Sequence, residues 1–423
     1  MRWERIAAWL LWALAAVQAV ALVRFVAASA AHPPAEGFIT YYTTARLLLE
    51  GDDLHRVVDG EWFRVQMRRF QPDADDINPN LPPAMLPALP LAWLDYPTAR
   101  AVWAGLALCG LALAGGALLW RLGLRGGLLP ACVAFALSFQ PLYADLYRGQ
   151  SYTPMLLALI VAWWGLRSRR AVLLGGGLAC ALLVRIVGLF FWPWLLLTRR
   201  WRALAWGAGI TGAVCLVLLV GLPEAWRATL PWLQRMTSGP QTTVTAYQTL
   251  QSWSGHLLTY DAYWNPEPWI RAPLLAAWLP RVVSGVVVVA SLYVAWRATH
   301  PDLAVVLLVL AGLVVSPVSQ AYHYTLALLP IVLLIAGVRD RHVRGLWVWL
   351  GAGAVLIAAN VPYQSPALTA GPWALLAYPK LYGALLLWGL ALWGARQPAG
   401  AQIRDWLPEV GSRPPLRTQA AMK

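Results

Sequence analysis

Charge is scarce in this chain. Of its 423 residues only 12% are Asp, Glu, Lys or Arg, against about 25% in soluble globular domains. That shortage excludes an ordinary water-soluble enzyme. Lysine is nearly missing, at Lys380 and Lys423 alone. Cysteine is sparse too. Cys109, Cys132, Cys180 and Cys215 all fall inside apolar runs, which argues against a disulfide framework. No GxGxxG with a strand, Walker loop, CxxC or HExxH pattern occurs. No ligand cluster demands a metal, so the expected set of cofactors and metal sites is none.

What is present in quantity is apolar. Hydrophobic residues make up 59% of the chain, and the mean hydropathy is +0.56. Runs long enough to span a bilayer, ~20 apolar residues, recur along almost the whole length. The fold class that follows is an all-α polytopic membrane protein, with membrane lipids as its first partners. The net charge of +14 does not point to nucleic acid. Many of its arginines stand in short clusters at the ends of apolar runs, where the positive-inside rule puts them. The acids are biased differently: nine of the 19 lie between Ser29 and Asn80.

Threading the chain by its arginines orders these runs. Residues 1–27 hold the first span, read as an uncleaved helix although Ala28-Ser29-Ala30 resembles a signal-peptidase site. Residues 28–97 form an acid-rich extracytoplasmic loop. Within it, Phe38, Tyr41, Ala45, Leu48 and Leu49 share one helical face, the pattern of an amphipathic helix lying in the interface. Leu81–Pro90 carries four prolines and reads as a re-entrant segment, because proline breaks a lipid-exposed helix. A bundle covers 98–221. In it, 171–197 lies between two arginine clusters and is too short for two full spans, so a short helical hairpin with Arg185 near its tip is expected. A second extracytoplasmic loop covers 222–275, a C-terminal bundle 276–396, and a polar cytoplasmic tail 397–423. The total is about 10–12 transmembrane helices. Gly175-Gly176-Gly177 reads as a helix-packing surface.

Candidate chemistry collects at the extracytoplasmic ends. Glu36 precedes the 38–50 helix and is a general-base candidate. Asp145 and Arg148 sit in a short loop beside Gln150. Arg185 interrupts an apolar segment, which is costly unless it has a partner, and its planar fork suits a phosphate. Tyr41, Tyr42, Tyr247, Gln248 and His256 suit sugar faces and hydroxyls. His323 follows Ser316-Pro317 and is placed to bond a phosphate or move a proton. A shared pocket requires residues 36–80 and 316–323 to lie on one side of the bilayer.

The order of these pieces resembles the polyprenyl-phosphate-dependent glycosyltransferases of the GT-C class, and within it family 87, which includes mycobacterial-type α-mannosyltransferases. The similarity is carried by Tyr41-Tyr42 with Leu48-Leu49-Glu50-Gly51, by Asn78-Pro79-Asn80-Leu81-Pro82-Pro83 running into Leu86–Ala92, by Gly149-Gln150 with the later Gly175–Ala179, and by Ser316-Pro317 with His323. Two positions depart from the family pattern. An aspartate usually stands directly before the aromatic that is Phe38 here, where this chain has Gly37. A lysine is frequent near the hairpin, where this chain has Arg185. The resemblance implies inverting transfer of a hexosyl group, mannose first, from a lipid-linked sugar donor to a lipid or glycan acceptor at the outer face of the cytoplasmic membrane. Catalytic candidates are Glu36, Asp52, Asp53 and Asp145, with Arg185, His323 and Arg148 on the donor phosphate. A transporter or flippase, or an inactive family member, are the alternative expectations.

Overall fold

The computed structural model describes residues 2–52, 54–78, 80–238, 244–262, 265–298, 300–339 and 344–395. Asp53, Tyr263, Trp264 and the 397–423 tail lie outside the described residues. The chain runs from the long helix α1 (Arg2–Ala31) through α2 (Phe38–Glu50), α3 (Gly60–Arg68) and a 3-10 run (Pro82–Trp93) to α4 (Tyr96–Arg121). Then come α5 (Leu128–Leu137), α6 (Gln140–Arg148), α7 (Tyr152–Arg167), α8 (Ala171–Val184) and α9 (Phe191–Leu197). The remainder is α10 (Trp201–Gly221), α11 (Pro223–Ser238), α12 (Leu250–Leu258), α13 (Pro273–Arg297), α14 (Pro301–Val315), α15 (Leu328–Val338), α16 (Arg344–Ala358) and α17 (Pro379–Ala395). No strand occurs among the described residues.

Among the described residues five helical stretches are long and apolar enough to cross a membrane, or seven if each of two bent pairs is one span. One bent pair is α5 with α6, at 44°. The protein is therefore an all-α polytopic membrane protein, and the stretches long enough to cross are fewer than the ten to twelve expected helices. Several apolar stretches fold as shorter helices, α8, α14 and α16 among them. The reason is visible in α14: nearly all its side chains are buried, facing protein on every side. A helix clad in protein need not match the bilayer thickness. By contrast α1, α10 and α13 expose Trp9, Val17, Val217, Val220, Leu274 and Val289, a surface only hydrocarbon can cover without cost.

α8 is wedged between α7 and α10. A Cβ on Gly175 would strike the Ala203 carbonyl, and one on Gly177 the Ala158 carbonyl, so bare glycines set the close approach of these three helices.

Contacts sort the helix ends into two groups. Arg339 donates to the Leu122 and Gly123 carbonyls (2.9 and 3.2 Å), Trp120 stacks on Trp164, Arg167 meets His300 (3.1 Å), and the Trp194 indole donates to Ala295. The arginine-rich ends thus gather at one end of the bundle. At the other end, α11 packs on the 3-10 turn Leu54–Val58, and the Gln248 amide bonds the Ser319 carbonyl (2.8 Å).

The 38–50 helix departs from the expected interfacial position. Thr40, Thr43 and Thr44, which lie off that apolar face, are as buried as Tyr41 and Ala45. The Pro82–Trp93 run covers the helix, and Thr40 and Thr44 bury their hydroxyls by donating to the Gly37 and Thr40 carbonyls (2.9 and 2.8 Å). Threonine can do this because its hydroxyl reaches back along its own helix.

Candidate active site

At the end opposite the arginine clusters lies a cavity of about 390 Å³. One wall is apolar, made by Leu182, Leu183, Val184, Leu189 and Phe190 around the tip between α8 and α9. The other is polar and combines distant parts of the chain: Glu36, Asp76, Gln150, Tyr152, Arg185, Tyr247, Tyr322 and His323. Residues 36–80 and 316–323 therefore share one pocket.

Arg185 sits where α8 stops, its own backbone extended (φ −157°, ψ 149°). Its Nη2 donates to the Tyr41 hydroxyl (2.9 Å), and its guanidinium lies over the Tyr152 ring (5.6 Å). Among the described residues no carboxylate pairs with it, and its Nε has no acceptor. The Tyr41 hydroxyl passes the connection on, donating to Gln150 Oε1 (3.0 Å) beside Ser151 Oγ (3.1 Å). A buried cation held by phenols rather than acids keeps its charge available to an anion.

His323 stacks between Tyr322 and Tyr152, with ring centroids at 4.7 and 4.2 Å. Its Nδ1 accepts from the Gln320 amide (3.1 Å). A neutral imidazole accepting at Nδ1 carries its proton on Nε2, so the remaining edge of His323 is a donor.

The acids divide. Glu36 lines the cavity and is ion-paired with Arg148; the Arg148 guanidinium also lies over the Tyr322 ring (5.7 Å). Asp76 is half-buried. Its Oδ2 accepts from the Gly37 amide and its Oδ1 from the Ile77 amide, both at 2.8 Å. Burial pushes its carboxyl up to about 6, helped by nearby Glu36 and opposed by the two amides and by Arg185.

Several expected site residues stand elsewhere. Asp145 is a helix cap: its carboxylate accepts from the Tyr152 and Thr153 amides (3.1 and 2.8 Å) and the Thr153 hydroxyl (2.5 Å), tying α6 to the start of α7. A carboxylate so occupied and fully buried is not offered to an acceptor. Asp52 is exposed and faces Arg69 at 3.9 Å. Tyr42 donates to the Leu94 carbonyl (2.7 Å) within an aromatic cluster with Phe38, Phe70 and Tyr96. Gln248 bonds the Ala377 carbonyl (2.8 Å) and the Lys380 amide (3.2 Å). His256 is held between the Tyr378 hydroxyl and the Thr369 carbonyl (3.1 and 2.9 Å), and burial pulls its imidazole down. These last three brace the structure around the pocket. Tyr247 does reach the cavity wall, its phenol raised by burial.

Reading the sequence missed Asp76, Tyr152 and Tyr322. Asp76 was one acid in an acid-rich run, and only folding brings it to Gly37, 39 residues away. Tyr322 adjoins His323, and that adjacency was the available signal. Among the described residues no three His, Cys, Asp or Glu side chains group as metal ligands.

Fold and cavity together define a helical membrane protein with a cation and an imidazole set between an apolar wall and carboxylates. The model of glycosyltransferase family 87 matches residues 80–317, more than half of the chain. The protein belongs to that family and is a membrane glycosyltransferase. No curated protein and no solved structure matches the chain. The matched stretch contains Arg185 and Gln150 but leaves Glu36, Gly37 and Asp76 outside.

Proposed function

We propose that the enzyme moves a hexosyl group, with mannose as the first candidate, from a polyprenyl-phosphate-sugar to a lipid or glycan acceptor, at the extracytoplasmic face of the cytoplasmic membrane. The observation carrying this reading is the junction of the two cavity walls at Arg185. The prenyl chain lies along Leu182, Leu183, Val184 and Leu189, and the phosphate meets the guanidinium and the Nε2–H of His323. As the bond from the anomeric carbon to the phosphate oxygen breaks, the leaving phosphate gains negative charge. Fixed donors aimed at that oxygen stabilise the transition state more than the ground state.

The acceptor hydroxyl attacks from the opposite face of the sugar and inverts the anomeric centre. Its proton passes to a carboxylate on the polar wall, so no glycosyl-enzyme is formed. Tyr247 and Gln150 flank the space a sugar ring would fill.

The test is transfer by the purified full-length protein in lipid nanodiscs, supplied with polyprenyl phosphates carrying radiolabelled mannose, glucose or galactose and with membrane lipid extract. Label on a new lipid or glycan, with free polyprenyl phosphate released, is the expected result. If every donor is recovered intact, the proposal is wrong. The sidedness follows from labelling a cysteine placed at Asp52 or Val318 with an impermeant reagent in intact cells; both should react.

A further inference from the structure

We infer that Asp76 is the carboxylate that accepts the acceptor's proton. This rests on the transfer reading above. Residue 37 cannot carry a side chain in this fold. Its φ is +99°, and a Cβ there would overlap the carbonyl oxygen of Arg148. The vacant place is taken from across the loop, because Asp76 Oδ2 sits 2.8 Å from the Gly37 amide.

Both carboxylates on the cavity wall are candidates, and their partners separate them. Glu36 is ion-paired with Arg148, so its carboxylate is already engaged by a protein cation. Asp76 has no cation at ion-pair distance among the described residues, only one amide on each oxygen. An ionised carboxylate has about four lone-pair sites, so an oxygen of Asp76 can still receive a hydroxyl. Its basicity is raised by burial to about 6, within reach of neutral pH, as efficient general bases require.

The step balances. The acceptor oxygen forms a bond to the anomeric carbon, its proton moves to Asp76, and the bonding pair of the cleaved link leaves with polyprenyl phosphate. The extra negative charge of that phosphate faces Arg185 and His323. Asp76 gives up its proton to water before the next turnover.

The experiment uses the full-length protein in nanodiscs and the donor that wild type consumes in the transfer assay. Asp76→Asn should lower kcat at least about 100-fold, leaving the donor KM within about threefold. The wild-type kcat should fall as pH drops through about 6, since the base works only when deprotonated. The titratable groups facing this carboxylate are Glu36, Arg185, Tyr322 and, across the cavity, Tyr152, Tyr247 and His323. Glu36→Gln should therefore keep the acid limb and shift it lower, by removing a negative neighbour. Asp76→Glu should retain turnover with a displaced limb, a readout that a merely structural role does not move. Asp76→Asn turning over within about threefold of wild type overturns the assignment, as does an unmoved limb in Asp76→Glu. If wild type consumes no donor, the transfer reading itself has failed; if wild type is active and Asp76→Asn equally so, only Asp76 is excluded.

Discussion

The two ends of the bundle use the same residue types for opposite purposes. At the arginine-rich end, Arg167 reaches Asp302 (3.8 Å), whose Oδ1 also accepts from the Trp163 indole (2.9 Å). His300 stands 3.7 Å from the same carboxylate. That network pairs its cation with a protein acid. At the cavity end, Arg185 meets a phenol and an aromatic face, while Glu36 pairs with Arg148 and Asp76 with backbone amides. Arg167 is matched to a protein acid and contributes to the fold, whereas Arg185 has no such acid among the described residues and keeps its charge available to an anion.

The comparison breaks most sharply at Arg185. Arg185→Ala should cut transfer by about 10²–10³-fold, the size of one lost transition-state donor, with expression and thermal unfolding little changed. Arg185→Lys should fall between, because an ammonium supplies charge without the planar fork. Activity unaffected in Arg185→Ala would make the two ends alike. Next come Glu36→Gln and Arg148→Ala. Each should cost about tenfold in turnover, and the double variant no more than either alone, since paired groups lose one shared interaction.

A smaller effect, of a different kind, is expected at the opposite end. Asp302→Ala strands the Trp163 indole and Arg167 and should lower stability by about 1–3 kcal/mol, measured as thermal unfolding in detergent. Turnover per folded molecule should stay within about twofold. Asp145→Ala belongs with it, because losing a helix cap costs about 0.5–2 kcal/mol. The smallest effect is expected of Asp52→Asn. The side chain is exposed and, among the described residues, pairs with Arg69, and neither rate nor stability should change measurably.

Much of this was legible before folding. Arg185 stood out because a guanidinium inside an apolar run has no cheap explanation, and His323 because it follows a Ser-Pro break between apolar segments. Other residues misled for a definite reason. Asp145 looked available in a short loop, but the structure makes it part of α6, and its carboxylate took the bare amides at the start of α7. Gln248 and His256 have the composition of a sugar site and serve as braces, because burial leaves a polar side chain no choice but to bond the nearest backbone.

By itself the sequence determined the class of protein and the sorting of its polar groups. Hydropathy and arginine placement act through solvent transfer, which depends on residue type and run length rather than on partners. Which apolar helices face lipid and which face protein was decided only in three dimensions, since α10 and α14 are both strongly apolar and differ in what surrounds them. The same is true of the base. Whether a carboxylate can take a proton depends on its distance to cations, amides and water, and those distances join Gly37 to Asp76 and Glu36 to Arg148 across long stretches of chain.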